Sequence, residues 1–385
     1  MKTTGVIVEF NPLHKGHAEH LRETRRLTGC GYIVAVMSGN FVQRGEPAIC
    51  DKWRRTRMAL EAGVDIVIEL PVGYVVSGAD YFARGSVKLL AACGVVDSLC
   101  FGSESGDLDA IKEAGRLLSC EPDEYKTVLR KNLSKGMSFA AARGAALATM
   151  LEYAPDGLLT KPNNGLGIEY CKALWQLGWP MEVFTSHREA DGPTATSIRK
   201  SIHCNKPANH LPKHVSAIMQ DAINANEIAK LDDFSDIFWH LLHTQDAHMG
   251  EGLENRFRHY AQNHNSLTEL LDAVKTKRYT YTRLQRAALG LVLGLQPDDI
   301  STWEAAGGPQ YIRVLGFKRK AAGLLGEITR HASLPVITTG AEMDKLQGIA
   351  ASMLAKEFEV GDIYQLAFKG RKGYRHERGI PLVIM

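Results

Sequence analysis

No apolar run in the 385-residue sequence approaches the ~20 residues that a membrane-spanning helix needs. The opening stretch, MKTTGVIVEFNPLH, is only briefly apolar and is interrupted by Glu9, so it does not read as a secretory signal. Cysteine is sparse and scattered: Cys30, Cys50, Cys93, Cys100, Cys120, Cys171 and Cys204 form no CxxC pair, and seven is an odd number. This spacing offers no zinc site and fits buried thiols in a reduced, cytoplasmic protein. Low-complexity linkers and internal repeats are absent. Charge of one sign is also missing, since 46 Lys and Arg face 43 Asp and Glu for a net +3. Any nucleic-acid contact must therefore come from local clusters rather than from the overall charge. What remains is a globular composition, 45% hydrophobic and 23% charged. At roughly 100–200 residues per domain, the length suits two domains, at most three.

The first half alternates between two periodicities. Gly5–Phe10, Tyr32–Met37, Asp65–Leu70, Ser98–Phe101 and Met181–Phe184 read as short strands. Helical patterns cover His17–Leu27, Lys52–Ala62, Gly78–Cys93, Leu108–Tyr153 and Gly165–Leu177. Strands separated by helices predict an α/β fold with a parallel sheet covered on both faces. After about Ser201 the strand pattern fades. Val215–Lys230, Ile237–His243, Leu267–Lys275, Arg283–Leu293 and Ala341–Phe358 suit helices. The expected organisation is a catalytic α/β domain over residues 1–200 and a mainly α-helical domain over 201–385.

Ligands of parallel sheets sit beyond the carboxyl ends of the strands. There the first strand runs into Asn11-Pro12-Leu13-His14-Lys15-Gly16-His17 and then a helix. Pro12 stops the strand, and Gly16 lets backbone approach a ligand closely. A helix start offers free N–H groups and a positive dipole to phosphate. His14 and His17 add donors for charge developing on a transferring phosphate, and Lys15 and His20 could add positive field. A lone HxGH is equally an ordinary turn. Here it follows a strand, opens a helix and has a possible partner downstream, which favours a nucleotide site. The partner is Ala195-Thr196-Ser197-Ile198-Arg199, whose Ser197 and Arg199 could hold the outer phosphates. Paired in this way, the two segments resemble the signatures of the HIGH-motif nucleotidyltransferase superfamily and imply its Rossmann-like fold.

Other strand ends carry polar loops. Ser38, Asn40, Gln43 and Arg44 could wall a substrate or meet RNA. The basic run Lys52–Arg57 is either a solvated helix face or an RNA contact. Gly102 could let adenosine lie against backbone, and Asn163 or Asn164 could read an adenine edge or simply cap a helix. Arg188 follows the last strand at the ligand-facing end. No acidic metal cage is evident, so Mg²⁺ would arrive with ATP.

Taken in order, VIVEFNPLHKGH, SGNFVQRGEPAICDKWRRTRMAL, GVDIVIELPVGY, FARGSVKLL, FGSESGD, PNNGLGIEYCKAL and ATSIRK resemble the bacterial tRNA(Met) cytidine acetate ligases. KRYTYTRLQR and YIRVLGF extend the resemblance into the second half. It implies an enzyme that activates acetate with ATP, giving acetyl-adenylate and pyrophosphate. The acetyl group then passes to N4 of the wobble cytidine of elongator tRNA(Met). The ATP-binding stretch of that family corresponds here to Ile7, Val8, Glu9, Phe10, Asn11, Pro12, Leu13, His14, Lys15, Gly16, His17 and His20. Its later ATP contacts correspond to Gly102, to Asn163 or Asn164, and to Arg188. The Arg188–Thr196 stretch is shorter than usual for the family and lacks its Tyr-His pair.

The helical half supplies a basic surface for tRNA. Lys275, Lys277, Arg278, Arg283 and Arg286 alternate with Tyr279 and Tyr281, and no Asp or Glu lies between Ala273 and Pro297. Basic residues reach phosphates and aromatics stack on unpaired bases. Lys369, Arg371, Lys372, Arg375 and Arg378, with Phe368 and Tyr374, form a second cluster. Two other functions fit these motifs: an adenylyltransferase that makes a dinucleotide cofactor, and a non-catalytic, nucleotide-gated RNA-binding protein. Acetate-dependent ATP–pyrophosphate exchange separates the ligase from both. The sequence does not give the oligomeric state.

Overall fold

Burial along Tyr32–Ser38 alternates between two cores. Ile33, Ala35 and Met37 face one side and Val34 and Val36 the other, all at most 1% exposed. A strand buried on both faces belongs inside a parallel sheet. The computed structural model describes residues 2–188, 194–206, 208–244, 249–276, 279–370, 373 and 376–385.

The sheet takes five strands from the first half: β1 (Thr3–Val8), β2 (Tyr32–Ser38), β3 (Ile66–Leu70), β4 (Ser98–Ser103) and β5 (Glu182–His187). All pair in parallel, in the order β3-β2-β1-β4-β5. The order reverses at β1, whose neighbours β2 and β4 lie on opposite sides, so a ligand crevice opens at its carboxyl end. One face is covered by α1 (Lys15–Thr28) and α2 (Lys52–Ala62). The other is covered by α3 (Ala79–Ala92), α4 (Leu108–Cys120) and α5 (Pro162–Leu177). Two later helices, α6 (Ala195–His203) and α7 (Lys213–Asn224), join the α1–α2 side through Ile198, Ile202, Val215 and Ile218.

Several boundaries move for identifiable reasons. Strand β1 ends at Val8 rather than Phe10, as Phe10 takes a φ of 48° and the Asn11–Pro12 peptide is cis. Strand β5 runs on to His187, in register with Ser103. The stretch expected to be helical over Leu108–Tyr153 is α4 followed by Asp123–Ser134 and Phe139–Ala148. It breaks at Glu121 (φ 43°), before Pro122, and at Gly136 (φ 81°).

The second half is helical for most of its length but does not leave the sheet. Strand β6 (Ile312–Phe317) lies antiparallel beside β3, and β7 (Val336–Ile337) and β8 (Val383–Ile384) pair in parallel with β6. A division at residue 200 would cut this sheet. The same junction carries a buried network. Lys52 Nζ donates to Glu69 at 2.5 Å and also meets Glu377, while Arg313 Nη1 reaches Glu69 at 2.9 Å and Glu377 at 3.1 Å. Glu357 accepts the Val72 N–H, and burial next to Glu69 pushes its carboxyl up to about 8. Two cations thus balance two carboxylates, and burial favours the neutral form of the third. Helix α8 (Tyr281–Val292) packs against the loop beyond β2, bringing the basic second half toward the strand ends.

Candidate active site

The crevice at the end of β1 is organised by backbone–imidazole bonds. His14 is the N-cap of α1, and its Nδ1 accepts the Gly16 N–H at 3.1 Å. The His14 N–H in turn donates to His17 Nδ1 at 3.3 Å. Both Nδ1 atoms are acceptors, so each neutral ring carries its proton on Nε2. The rings stack at 3.7 Å, and His14 Nε2 is buried without a partner among the described residues. A buried unpaired donor costs about 1–3 kcal/mol and calls for an acceptor. Desolvation, with Arg188 and His210, brings His14 down to about 4, and burial holds His17 well below its ordinary range. The pair therefore presents neutral donors rather than cations.

Two expectations change here. The first-turn N–H groups of α1 are not free, because Lys15 N donates to His210 O, Gly16 N to His14 Nδ1, and His17 N to His14 O. Imidazole Nε2–H groups and the helix dipole, not backbone N–H groups, are what this turn has left to offer an anion. His20 adds no positive field: burial and Arg188 bring it down to about 4, and its Nδ1 bonds Ser186 Oγ at 2.7 Å. Ser186 is a site residue with no sequence signal of its own. The positive charge comes from exposed Lys15 and from Arg188, whose guanidinium acts on all three histidines.

Arg188 is fixed by its N–H, which donates to Ser103 O at 2.8 Å. Gly102 pairs in register with Ser186, and a Cβ built on it meets nothing nearer than 3.9 Å. That strand end is open to a ligand. Asn164 is not: fully buried, its Oδ1 accepts from Glu104 N (2.9 Å), Ser105 N (3.1 Å) and Ser105 Oγ (3.3 Å), and its Nδ2 gives to Gly157 O. Half-buried Asn163 donates Nδ2 to Glu104 at 2.8 Å and keeps its Oδ1 unengaged among the described residues.

The second phosphate motif opens α6. Thr194 Oγ1 caps Ser197 N at 3.1 Å, and Ser197 Oγ donates to Thr194 O at 2.8 Å. Arg199 donates Nη1 to Asn11 O at 2.8 Å and pairs through Nη2 with Glu46. It thus ties the HxGH turn to the loop beyond β2, and Glu46 already balances its charge. Residues 189–193, the middle of the shortened Arg188–Thr196 stretch, lie outside the described residues.

The loop beyond β2 is a hairpin, Phe41–Val42 against Glu46–Pro47. Ser38 and Asn40 serve its structure rather than an open wall: Ser38 Oγ donates to Glu9 at 3.2 Å, and buried Asn40 caps α2 by accepting Lys52 N at 2.8 Å. Arg44 stands exposed at the tip. Gly45, at φ 80°, sits so close to α8 that a Cβ would lie 2.6 Å from Arg286 N, and Arg286 donates to Gln43 O at 3.4 Å. Most of the basic run 52–57 turns inward, and only Arg57, 62% exposed and paired with Glu61, keeps a solvated face. Lys52 is in the buried network and Arg54 pairs with Asp51 and Glu227. Arg55, fully buried, donates to the carbonyls of Glu9 (2.6 Å), Ser38 (3.1 Å), Gly39 and Cys50 (3.2 Å).

On α8, Arg283 reaches Glu251 at 3.2 Å and is 41% exposed, and burial beside Arg283 brings Arg286 down to about 10. Lys277 and Arg278 lie outside the described residues, as do Arg371, Lys372, Tyr374 and Arg375. Among the described residues no group of His, Cys, Asp and Glu could hold a metal ion, and no helix is long and apolar enough to cross a membrane.

Residues 1–378 match the family model described as HIGH Nucleotidyl Transferase. A protein of Caldanaerobacter subterraneus subsp. tengcongensis called tRNA(Met) cytidine acetate ligase is 41% identical over 390 residues, covering 96% of each chain. One of the same name from Acetivibrio thermocellus is 35% identical over 398 residues, again 96% of each. The crystal structure of Thermotoga maritima TmcAL bound with alpha-thio ATP superposes with a TM-score of 0.93 at 34% identity, over the whole of both chains. With the neutral histidine pair at the switch point and full-length identity at this level, the chain belongs to the HIGH nucleotidyltransferases, in the tRNA(Met) cytidine acetate ligase family.

Proposed function

We propose that this protein is an ATP-dependent tRNA(Met) cytidine acetate ligase, working on a cytoplasmic substrate. An acetate oxygen attacks the α-phosphorus of ATP and pyrophosphate leaves, giving acetyl-adenylate. N4 of the wobble cytidine of elongator tRNA(Met) then takes the acetyl group and AMP departs. The observation that carries this reading is the pair of Nε2–H donors on His14 and His17, one buried with no acceptor among the described residues, in the field of the Arg188 guanidinium.

Acetate is already an anionic nucleophile, so adenylation needs alignment and charge neutralisation rather than a base. The histidine donors, Lys15 and Arg188 meet charge developing on the α-phosphate. The stretch Ile7–His20 lines the nucleotide, adenosine lies over Gly102, and Asn163, rather than the saturated Asn164, contacts it. Ser197 and the start of α6 take the outer phosphates, with Arg199 positioning the turn. Mg²⁺ comes bound to ATP. The anticodon approaches across Gln43 and Arg44 on the hairpin and the basic stretch of Lys277, Arg278 and Arg283. Incubation with ATP, isotopically labelled acetate and unmodified elongator tRNA(Met), followed by nucleoside mass spectrometry, tests the reading. Labelled N4-acetylcytidine supports it; unlabelled cytidine alone, with nucleotide bound, rejects it.

A further inference from the structure

Glu9 is a carboxylate at the carboxyl end of β1, two residues before the turn that would hold anions. It is the first residue beyond β1. Its Oε1 accepts the Gln43 N–H at 2.6 Å and the Ser38 hydroxyl at 3.2 Å, while Oε2 has no hydrogen-bond partner among the described residues. Groups on every neighbouring element face it: Ser38 from β2, Gln43 and Glu46 from the hairpin, Arg55 from α2, and Tyr170 from α5. None is a dedicated counter-ion. Arg55 is occupied by four carbonyls, and Glu46 pairs with Arg199. Burial and Glu46 push the Glu9 carboxyl above the ordinary range, against the Gln43 and Ser38 hydrogen bonds and the weaker pull of Arg55. A purely structural residue here could be an amide. Glutamine would accept the same two hydrogen bonds without a charge to bury.

Acetyl transfer requires a base at this place. The N4 lone pair of cytidine is delocalised into its ring, and the amine must shed a proton as it acylates. His14 and His17 present N–H rather than a lone pair, and His20 is engaged by Ser186. Glu104 is taken by Asn163 and Asn164. Glu9 is left as a carboxylate with an unengaged oxygen beside the HxGH turn.

We infer that Glu9 Oε2 accepts the N4 proton during acetyl transfer, an inference that rests on the ligase reading above. N4 forms a bond to the acetyl carbonyl carbon. The bond from that carbon to the phosphate oxygen breaks, and AMP leaves with the electron pair. The N4 proton goes to Glu9 and then to solvent.

Chemically prepared acetyl-adenylate, supplied with elongator tRNA(Met), bypasses adenylation and isolates this step. The wild-type single-turnover rate should rise with pH along a limb centred above the ordinary carboxyl value of 4.5. Glu9→Gln should be about 100-fold slower or worse, the usual share of a general base, and should lose that limb. Glu9→Asp should retain the limb at a reduced rate. Glu9→Gln within about threefold of wild type, or with the limb intact, overturns the inference. Should Glu9→Gln not fold, the wild-type profile decides: a transfer rate with no rising limb above pH 4.5 removes the base. Wild-type protein that transfers nothing from acetyl-adenylate fails the ligase reading itself, whereas full-rate Glu9→Gln fails this inference alone.

Discussion

Replacing His14 by alanine separates folding from chemistry. Two terms act on stability with opposite sign. Loss of the N-cap acceptor for Gly16 N costs about 1 kcal/mol. Removal of the unpaired buried Nε2 returns about 1–3 kcal/mol. These offset, so the melting temperature should move little, or rise. Catalysis has no such compensation. Loss of a preorganised donor to the charge developing on the α-phosphate costs about 2.7–4 kcal/mol, roughly 10²–10³-fold in rate. His14→Asn sharpens the comparison, because its side-chain oxygen restores the cap while its shorter amide cannot place a donor where Nε2 stood. Acetate-dependent ATP–pyrophosphate exchange and thermal unfolding, run on both variants, give the two readouts. The pH dependence supplies a third. His14 titrates at about 4 in the folded chain against 6.5 ordinarily, so the unfolded chain binds the extra proton first. Stability is therefore full above pH 6.5 and is lost as pH falls from there toward about 4. The slope is about 1.4 kcal/mol per pH unit for this group. His14→Ala should unfold with a correspondingly flatter acid dependence. Normal exchange in His14→Ala, or a loss that parallels unfolding, refutes the donor argument.

His17→Ala should likewise lose adenylate formation by about two orders of magnitude while tRNA still binds, as filter binding would show. Gly102→Val should fold, since among the described residues beyond its chain neighbours no atom lies nearer than 3.9 Å to the added Cβ, yet raise the KM for ATP; an unchanged KM removes Gly102 from the nucleotide site. Neutralising Lys277, Arg278 and Arg283 together should weaken tRNA binding and flatten its salt dependence, leaving acetate-dependent exchange intact. Arg313→Met should destabilise by about 3–5 kcal/mol in chemical denaturation, because it leaves Glu69 and Glu377 buried with only Lys52 between them.

The parallel core and the HxGH turn are legible in the sequence because their chemistry is local. Short β-branched runs, Pro12, Gly16 and the following amphipathic helix state their roles within a dozen positions. Strand β6 is not, because Arg313 breaks its apolar run and its partners Glu69 and Glu377 lie 244 and 64 residues away. The basic run at 52–57 misleads for the same reason. Lys52 and Arg55 turn inward to a carboxylate and to carbonyls that only the tertiary fold assembles. Asn163 and Asn164 are identical letters, and only the hydrogen bonds show that Asn164 is saturated and Asn163 is not. Nor does a sequence display which helix-start N–H groups are spent, and here those of Lys15, Gly16 and His17 all are.

The central claim is that one crevice both adenylates acetate and acylates tRNA. Its most direct test is nucleoside mass spectrometry on elongator tRNA(Met) lacking the modification, after incubation with the protein, ATP and labelled acetate. Labelled N4-acetylcytidine should be confined to the wobble position, dependent on ATP and lost in His14→Asn. Absence of the label in reactions where the protein binds both ATP and tRNA would contradict it.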